Sequence, residues 1–212
     1  MAKPVVLQAV IGGVLLAAAC VPHLLGQRQA HGLLLLRLAL LFPLVILLFQ
    51  IMLAWTRLAD GCEAFPRSRP PWVWLEYAGL AAALAAVYGG VVDPRLAALQ
   101  PGYYPAGLTE WLAGLPWVAG FQPLVLVAAV FAFAVRLSGS TVAATAAVAV
   151  IRQAAVLYHW HSLPALPLFL LVLLAGIHGV FVAVAYRRLG YPGAALVALI
   201  LEARFLLGAC RT

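Results

Sequence analysis

The sequence predicts an all-α integral membrane protein, a polytopic bundle of about seven transmembrane helices, and three observations carry that prediction. Of 212 residues, 66% are apolar and 9% charged, and the mean hydropathy is +1.07. A soluble domain carries about 45–50% apolar and about 25% charged residues. At about 20 apolar residues per crossing, this content fills roughly seven helices. Apolar windows bounded by Pro, Gly and charge fall at 4–24, 32–55, 72–91, 117–136, 140–160, 163–186 and 191–209. Residues 1–212 therefore read as a single membrane domain.

The first window follows Lys3 and passes through Leu16-Ala17-Ala18-Ala19-Cys20, a loose lipobox in a signal-peptide-like segment. It is expected to be retained as the first span. The second follows a short turn with Gln27, Arg28 and Gln29, and it holds Arg37 near its start, where a long side chain snorkels to headgroups. A polar loop over 56–71 precedes the third window. The connection 92–116 carries Asp93, Arg95, Tyr103, Tyr104, Glu110 and Trp111. It is expected to cover the outer end of the bundle, with Leu108–Leu115 as a short interfacial helix; the alternative is a substrate gate. Ser138, Gly139 and Ser140 predict a tight interhelical turn, as do Ser162 and Leu163, and Arg187-Arg188-Leu189-Gly190 predicts the last corner. The small-residue runs 81–86 and 143–149 predict close-packing helix faces.

Lys and Arg number 13 against 6 Asp and Glu, for a net charge of +7. The basic residues are scattered between apolar runs, so they read as topology signals and headgroup contacts rather than a nucleic-acid surface. With the N-terminus inside, Lys3, Arg57, Arg67, Arg69, Arg136, Arg187 and Arg188 lie on the inner side, and Arg28, Arg95 and Arg211 on the outer. The bias predicts N-in and C-out in a bacterial cytoplasmic membrane, with the lipid bilayer and other membrane subunits as partners.

No Gly-x-x-x-x-Gly-Lys-Ser/Thr, His-Glu-x-x-His or Gly-x-Ser-x-Gly motif occurs. Lys3 is the lone lysine, which excludes a Schiff-base photoreceptor. Cys20, Cys62 and Cys210 form no Cys-x-x-Cys pair; Cys20 and Cys210 fall at outer ends, where a disulfide is expected if the first and last spans are neighbours.

Ionisable residues at membrane depth are functional candidates by default. Arg152 and Glu202 each lie about 18 Å from the inner ends of their spans, which predicts a buried polar network of Arg152, Gln153, Glu202 and Arg204. It serves either as a structural ion pair or as a proton or substrate pathway. Four histidines, His23, His31, His159 and His161, fall at outer span ends. A copper or zinc site from His23, His31 and His161 is one reading, and interfacial residues at headgroup level are the other. A b-type haem needs two axial histidines at similar depth, and the deep His178 has no such histidine partner. Metal ion, lipid and pigment remain open as ligands.

Over 131–205 the chain resembles the CAAX-protease and bacteriocin-processing (CPBP) membrane family. Arg136 matches the arginine of that family's Glu-Glu-x-x-x-Arg motif, Leu157-x-x-x-His161 resembles its Phe-x-x-x-His, and the stretch from Gly176 through Tyr191 to Phe205 is similar to its final helical hairpin. The paired glutamates fall on Phe131 and Ala132, and the last motif's histidine is missing. The resemblance implies a retained scaffold without the protease.

Three functions follow as expectations. The first is a non-catalytic membrane subunit or scaffold within a larger membrane protein complex. The second is an outer-face metal-dependent enzyme using the histidines with Glu110. The third is a carrier or binder of a small hydrophobic or anionic solute near Arg152 and Glu202.

Overall fold

The computed structural model describes residues 3–26, 31–59, 61–66, 68–99, 104–105 and 107–209, the side chains of 3, 4, 31, 32 and 207–209 excepted. The described residues are helical almost throughout. Helix α1 spans Lys3–Gly26 and α2 His31–Trp55, followed by a 3₁₀ turn at Thr56–Leu58. Helix α3, Pro71–Val87, runs through a wide turn at Tyr88–Val92 into α4, Asp93–Leu99. Helix α5, Leu108–Leu115, runs through wide turns at Pro116–Phe121 and Leu124–Ala129 into α6, Val130–Ser138. Helix α7 is Thr141–Trp160 and α8 Ala165–Ala209. Six of these helical stretches are long and apolar enough to cross a membrane: Val5–Gly26, Leu33–Leu58, Pro71–Leu99, Leu108–Ser138, Thr141–Trp160 and Ala165–Leu206.

Two boundaries differ from the sequence expectation. The third helix does not stop near 91 but continues to Leu99, because the wide turn at Tyr88–Val92 absorbs Gly89 and Gly90 and Pro94 sits in the first turn of α4, where a missing N–H is harmless. Asp93 is thus a helical residue rather than the start of a loop. Likewise Leu108–Leu115 is not a separate interfacial helix. It forms the opening turns of one helical stretch of 31 residues, about 46 Å at 1.5 Å per residue. Pro116 and Pro123 keep helical backbone angles, and the wide turns beside them take up the hydrogen bonds that proline cannot donate.

Helix α8 is interrupted at Gly190, whose φ of 67° and ψ of −162° are non-helical. The N–H of Tyr191 donates to the Ala64 carbonyl at 2.8 Å instead of to its own helix. His178 and Glu202 stand equally far from Gly190 along the chain, on its two sides, and both line one cavity, so the chain doubles back there. Only glycine fits. A Cβ would meet the backbone oxygens of Ala64 and Glu63 and the Pro66 ring, and the backbone conformation is itself a glycine one. The other expected short turns are present. Gly139 ends α6 at φ 65°, and the Ser140 hydroxyl accepts from the Ala143 N–H at 3.3 Å as the N-cap of α7.

Small residues set the closest helix approaches. A Cβ on Gly179 would come within 2.6 Å of the Ala149 Cα, and one on Gly13 within 2.8 Å of the Ile46 Cα, so α8 meets α7, and α1 meets α2, at near-backbone contact. The main core gathers Val45, Met52, Leu124, Val127, Phe131, Val148, Val182, Tyr186 and Val197. Buried Thr56 and Tyr186 satisfy each other there through a 2.6 Å hydrogen bond between their hydroxyls.

Candidate functional site

Away from Gly190 the helices part. From the turn at Gly139 outward, α6 and α7 pack side by side, whereas the Leu124–Ala129 turn touches α7 far less. The divergence leaves a cavity of about 500 Å³. Its walls come from Tyr88 to Leu96, from Trp117 to Leu126, from the second half of α7 and from both limbs of α8. Most are apolar or aromatic, among them Val92, Leu96, Trp117, Phe121, Leu126, Trp160, Leu171 and Ala198. Six acidic, basic or histidine side chains interrupt them, Asp93, Arg152, His159, His178, Glu202 and Arg204, and Gln122 also lines the cavity.

Arg204 is the most tightly held. Its Nε donates to Asp93 Oδ2 at 2.9 Å, and both side chains are nearly buried, 13% and 14% exposed. Its Nη1 donates to the Leu201 carbonyl. The guanidinium lies over the rings of Tyr88 at 5.2 Å and Phe205 at 4.1 Å, which adds cation–π attraction. The Tyr104 hydroxyl reaches the Asp93 carboxylate at 3.2 Å and its carbonyl at 3.1 Å, and the Tyr104 ring meets Phe205 edge-on. The indole N–H of Trp111 donates to the Glu202 carbonyl at 3.2 Å. Tyr104 and Trp111 therefore tie the 92–116 segment to this end of the bundle.

Arg152 and His178 form the second polar pair. Arg152 Nη2 lies 3.3 Å from His178 Nδ1. A guanidinium only donates, so Nδ1 must accept and the imidazole proton resides on Nε2. That Nε2 is buried without a hydrogen-bond partner. The ring packs edge-on against Tyr88 at 6.3 Å, the same ring that Arg204 covers.

The polar network is thus distributed differently from the sequence expectation. Arg152, Glu202 and Arg204 line one cavity, but Arg204 is paired with Asp93 and Arg152 with His178. Gln153 faces the first limb of α8, where its Nε2 approaches the Val172 carbonyl at 3.4 Å. Asp93 escapes the sequence reading because the apolar window of the third span closes just ahead of it; an acid directly behind a long apolar run is the available signal. The polar partner of His178 is an arginine, Arg152.

The histidines of the expected metal site are engaged elsewhere. His23 stacks on Trp117 at 5.3 Å, and His161 Nδ1 lies 3.0 Å from the Tyr158 carbonyl on the exposed end of α7. The side chain of His31 lies outside the described residues, and among the described residues no three His, Cys, Asp or Glu side chains gather as metal ligands. Cys20 is buried, whereas Cys210 lies outside the described residues. Arg136 is exposed at the start of the α6–α7 turn, and His161 follows the far end of α7, a helix of 20 residues or about 30 Å. Phe131 and Ala132, at the CPBP glutamate positions, are fully buried in the core.

Comparisons with known protein families, curated proteins and solved structures find no match to this chain.

Proposed function

We propose that this protein is a non-catalytic integral membrane protein that binds or carries a small amphipathic solute in the cavity between α4, α7 and the two limbs of α8. One observation carries the reading: an apolar-walled cavity of about 500 Å³ is lined by polar side chains from separate segments of the chain, Asp93, Gln122, Arg152, His178, Glu202 and Arg204 among them. That combination suits a ligand site, and ionisable groups at membrane depth are costly to retain without a use. The exposed flanks of the bundle, such as Leu75, Leu137 and Val142, suit lipid tails as well as a partner's helices. They do not select the accessory-subunit reading over a bundle that acts alone.

The same proposal takes the two limbs of α8 as separate crossings, giving seven spans, N-in and C-out, in a bacterial cytoplasmic membrane. The cavity then opens toward the outer half. The charge bias of the sequence supports this orientation. Reporter fusions after Gly61 and after Arg211 should report opposite sides; one side for both would remove it.

Occupancy is tested by extracting the purified protein and identifying bound small molecules by mass spectrometry, in the parent and in Ala198→Phe, where a ring enters the cavity. An amphiphile bound to the parent and lost from the variant is expected. Equal content in both overturns the proposal.

A further inference from the structure

Resting on that reading, we infer that the solute is a cationic amphiphile, an alkylammonium, whose head is held by the carboxylate of Glu202.

Glu202 places a carboxyl in an apolar-walled cavity without giving it a protein partner. Its main-chain carbonyl accepts from the Trp111 indole at 3.2 Å, but among the described residues no donor bonds to its side chain. Among those same residues, His178 Nε2 is the one buried polar side-chain atom that lacks a hydrogen bond. Both Glu202 oxygens are therefore open rather than shut away, and the side chain lines the cavity. A carboxylate only accepts, so its complement is a donor, and a charged donor binds it most strongly.

The surrounding charges set the sign of the head. Those that act most strongly on the Glu202 carboxylate are Arg204 and Asp93, and these two already form a pair at 2.9 Å. Arg204 also donates Nη1 to the Leu201 carbonyl and lies over the Tyr88 and Phe205 rings. Two carboxylates thus share one guanidinium in this corner, which leaves one negative charge in excess beside apolar walls. Arg152 lines the cavity as well, but its Nη2 is directed to His178 Nδ1. Its charge opposes a cation and so biases the head toward the Glu202 side of the void. A carboxylic acid head meets Glu202 as a like charge, and a hydroxyl donates one hydrogen bond without charge.

The walls favour a chain behind that head. Phe121, Leu126, Leu171 and Leu201 present apolar surface to a hydrocarbon tail. Ala155, Tyr158 and His159 also line the cavity and are exposed on α7, so the cavity opens along a helix long and apolar enough to cross a membrane. A small hydrated cation exchanges its water for mostly apolar contacts at a cost, whereas an alkyl chain gains by the same exchange.

The test uses the full chain in nanodiscs of a zwitterionic lipid at neutral pH, where an alkylamine carries its charge. Tryptophan quenching is read with a bromine-tailed alkylamine, alcohol and carboxylic acid of one chain length. The quenching that Ala198→Phe removes reports the cavity, which Trp117 and Trp160 line. Saturable quenching by the amine is expected at a concentration at least about 10-fold below that of the alcohol, the order of one hydrogen bond to a charged group. Glu202→Gln, which keeps the size and removes the charge, should abolish that preference, and Arg152→Met should leave it intact or enlarge it. Equal quenching by amine and alcohol in the parent, blocked for both by Ala198→Phe, overturns the ammonium head and leaves a cavity ligand of another chemistry. If Ala198→Phe removes no quenching by any probe, the binding function falls as well. A preference for the acid, or an amine preference that survives Glu202→Gln, overturns the anchoring role of Glu202. Displacement by ethylammonium or sodium ion as effective as by the unbrominated alkylamine would replace the amphiphile with a free cation. The comparison among the three probes needs no variant, so a misfolding substitution does not shield the inference.

Discussion

The end of the bundle near Gly190 and the end that holds the cavity are built from the same helices, yet they solve opposite problems. Near Gly190 the chain seats directly against the backbone of Glu63 and Ala64, and the polar side chains there, Thr56 and Tyr186, satisfy one another at 2.6 Å. At the cavity end, two acids, two arginines and two histidines line a void, and one nitrogen of His178 is left without a hydrogen-bond partner. Large side chains, Trp117, Phe121, Trp160 and the arginines, border the void, although Gly179 of α8 and Ala149 of α7 meet closely beside it. A protein that needed only to pack would have no reason to maintain the second arrangement, since unpaired polar groups in a low-dielectric interior are destabilising.

The sharpest way to break this comparison is to remove Asp93 from Arg204. Asp93→Ala leaves a nearly buried guanidinium without its carboxylate. A loss of about 3 kcal/mol is expected, the lower end of the range for buried pairs because a little solvent exposure remains. Adding Arg204→Met should recover part of that loss. Denaturant unfolding in detergent checks both, and a double variant no better than the single would show that the pair does not act as a unit.

Gly190→Ala should come next, at about 1–3 kcal/mol for the backbone conformation, with the contacts to Ala64 and Glu63 adding to it. Thermal unfolding close to that of the parent would mean that the corner relaxes and that the Gly190 end is not rigid. Tyr186→Phe leaves the Thr56 hydroxyl buried alone and should destabilise by about 1–2 kcal/mol. Paired with Thr56→Val, which removes the stranded hydroxyl, the deficit should shrink; a double-mutant cycle measures the coupling.

Arg95→Ala provides the smallest effect. Its guanidinium is exposed and returns to the Val91 carbonyl of its own helical stretch at 2.7 Å. A change within about 0.5 kcal/mol is expected, and bound amphiphile should be unaltered by mass spectrometry. A large loss would extend the functional site beyond the cavity end.

Part of the site is legible in the residue order alone. Arg152, Glu202 and Arg204 stand out because a charge inside an apolar window is expensive wherever it points, and all three do line the cavity. Their pairing is not legible there. Depth along a helix can be counted from residue numbers, but the face a side chain presents depends on which helices are neighbours. Asp93 meets Arg204 because α4 and the second limb of α8 converge, and His178 meets Arg152 because α7 packs on the first limb, with the Tyr88 ring touching both His178 and Arg204. Likewise, Pro116 reads as a boundary, since proline ordinarily interrupts a helix; wide turns allow the helix to continue through it.

By itself the sequence determined the all-helical, membrane-type architecture, the short turns at Gly139 and after Trp160, and the corner at Gly190. Each rests on local quantities: apolar run length, the conformational range of glycine, and the capping chemistry of serine. The tertiary structure decided which charges face one another and where the helices part to leave a cavity. Those outcomes depend on the summed shapes of side chains from segments far apart in the chain, and no local pattern carries that sum.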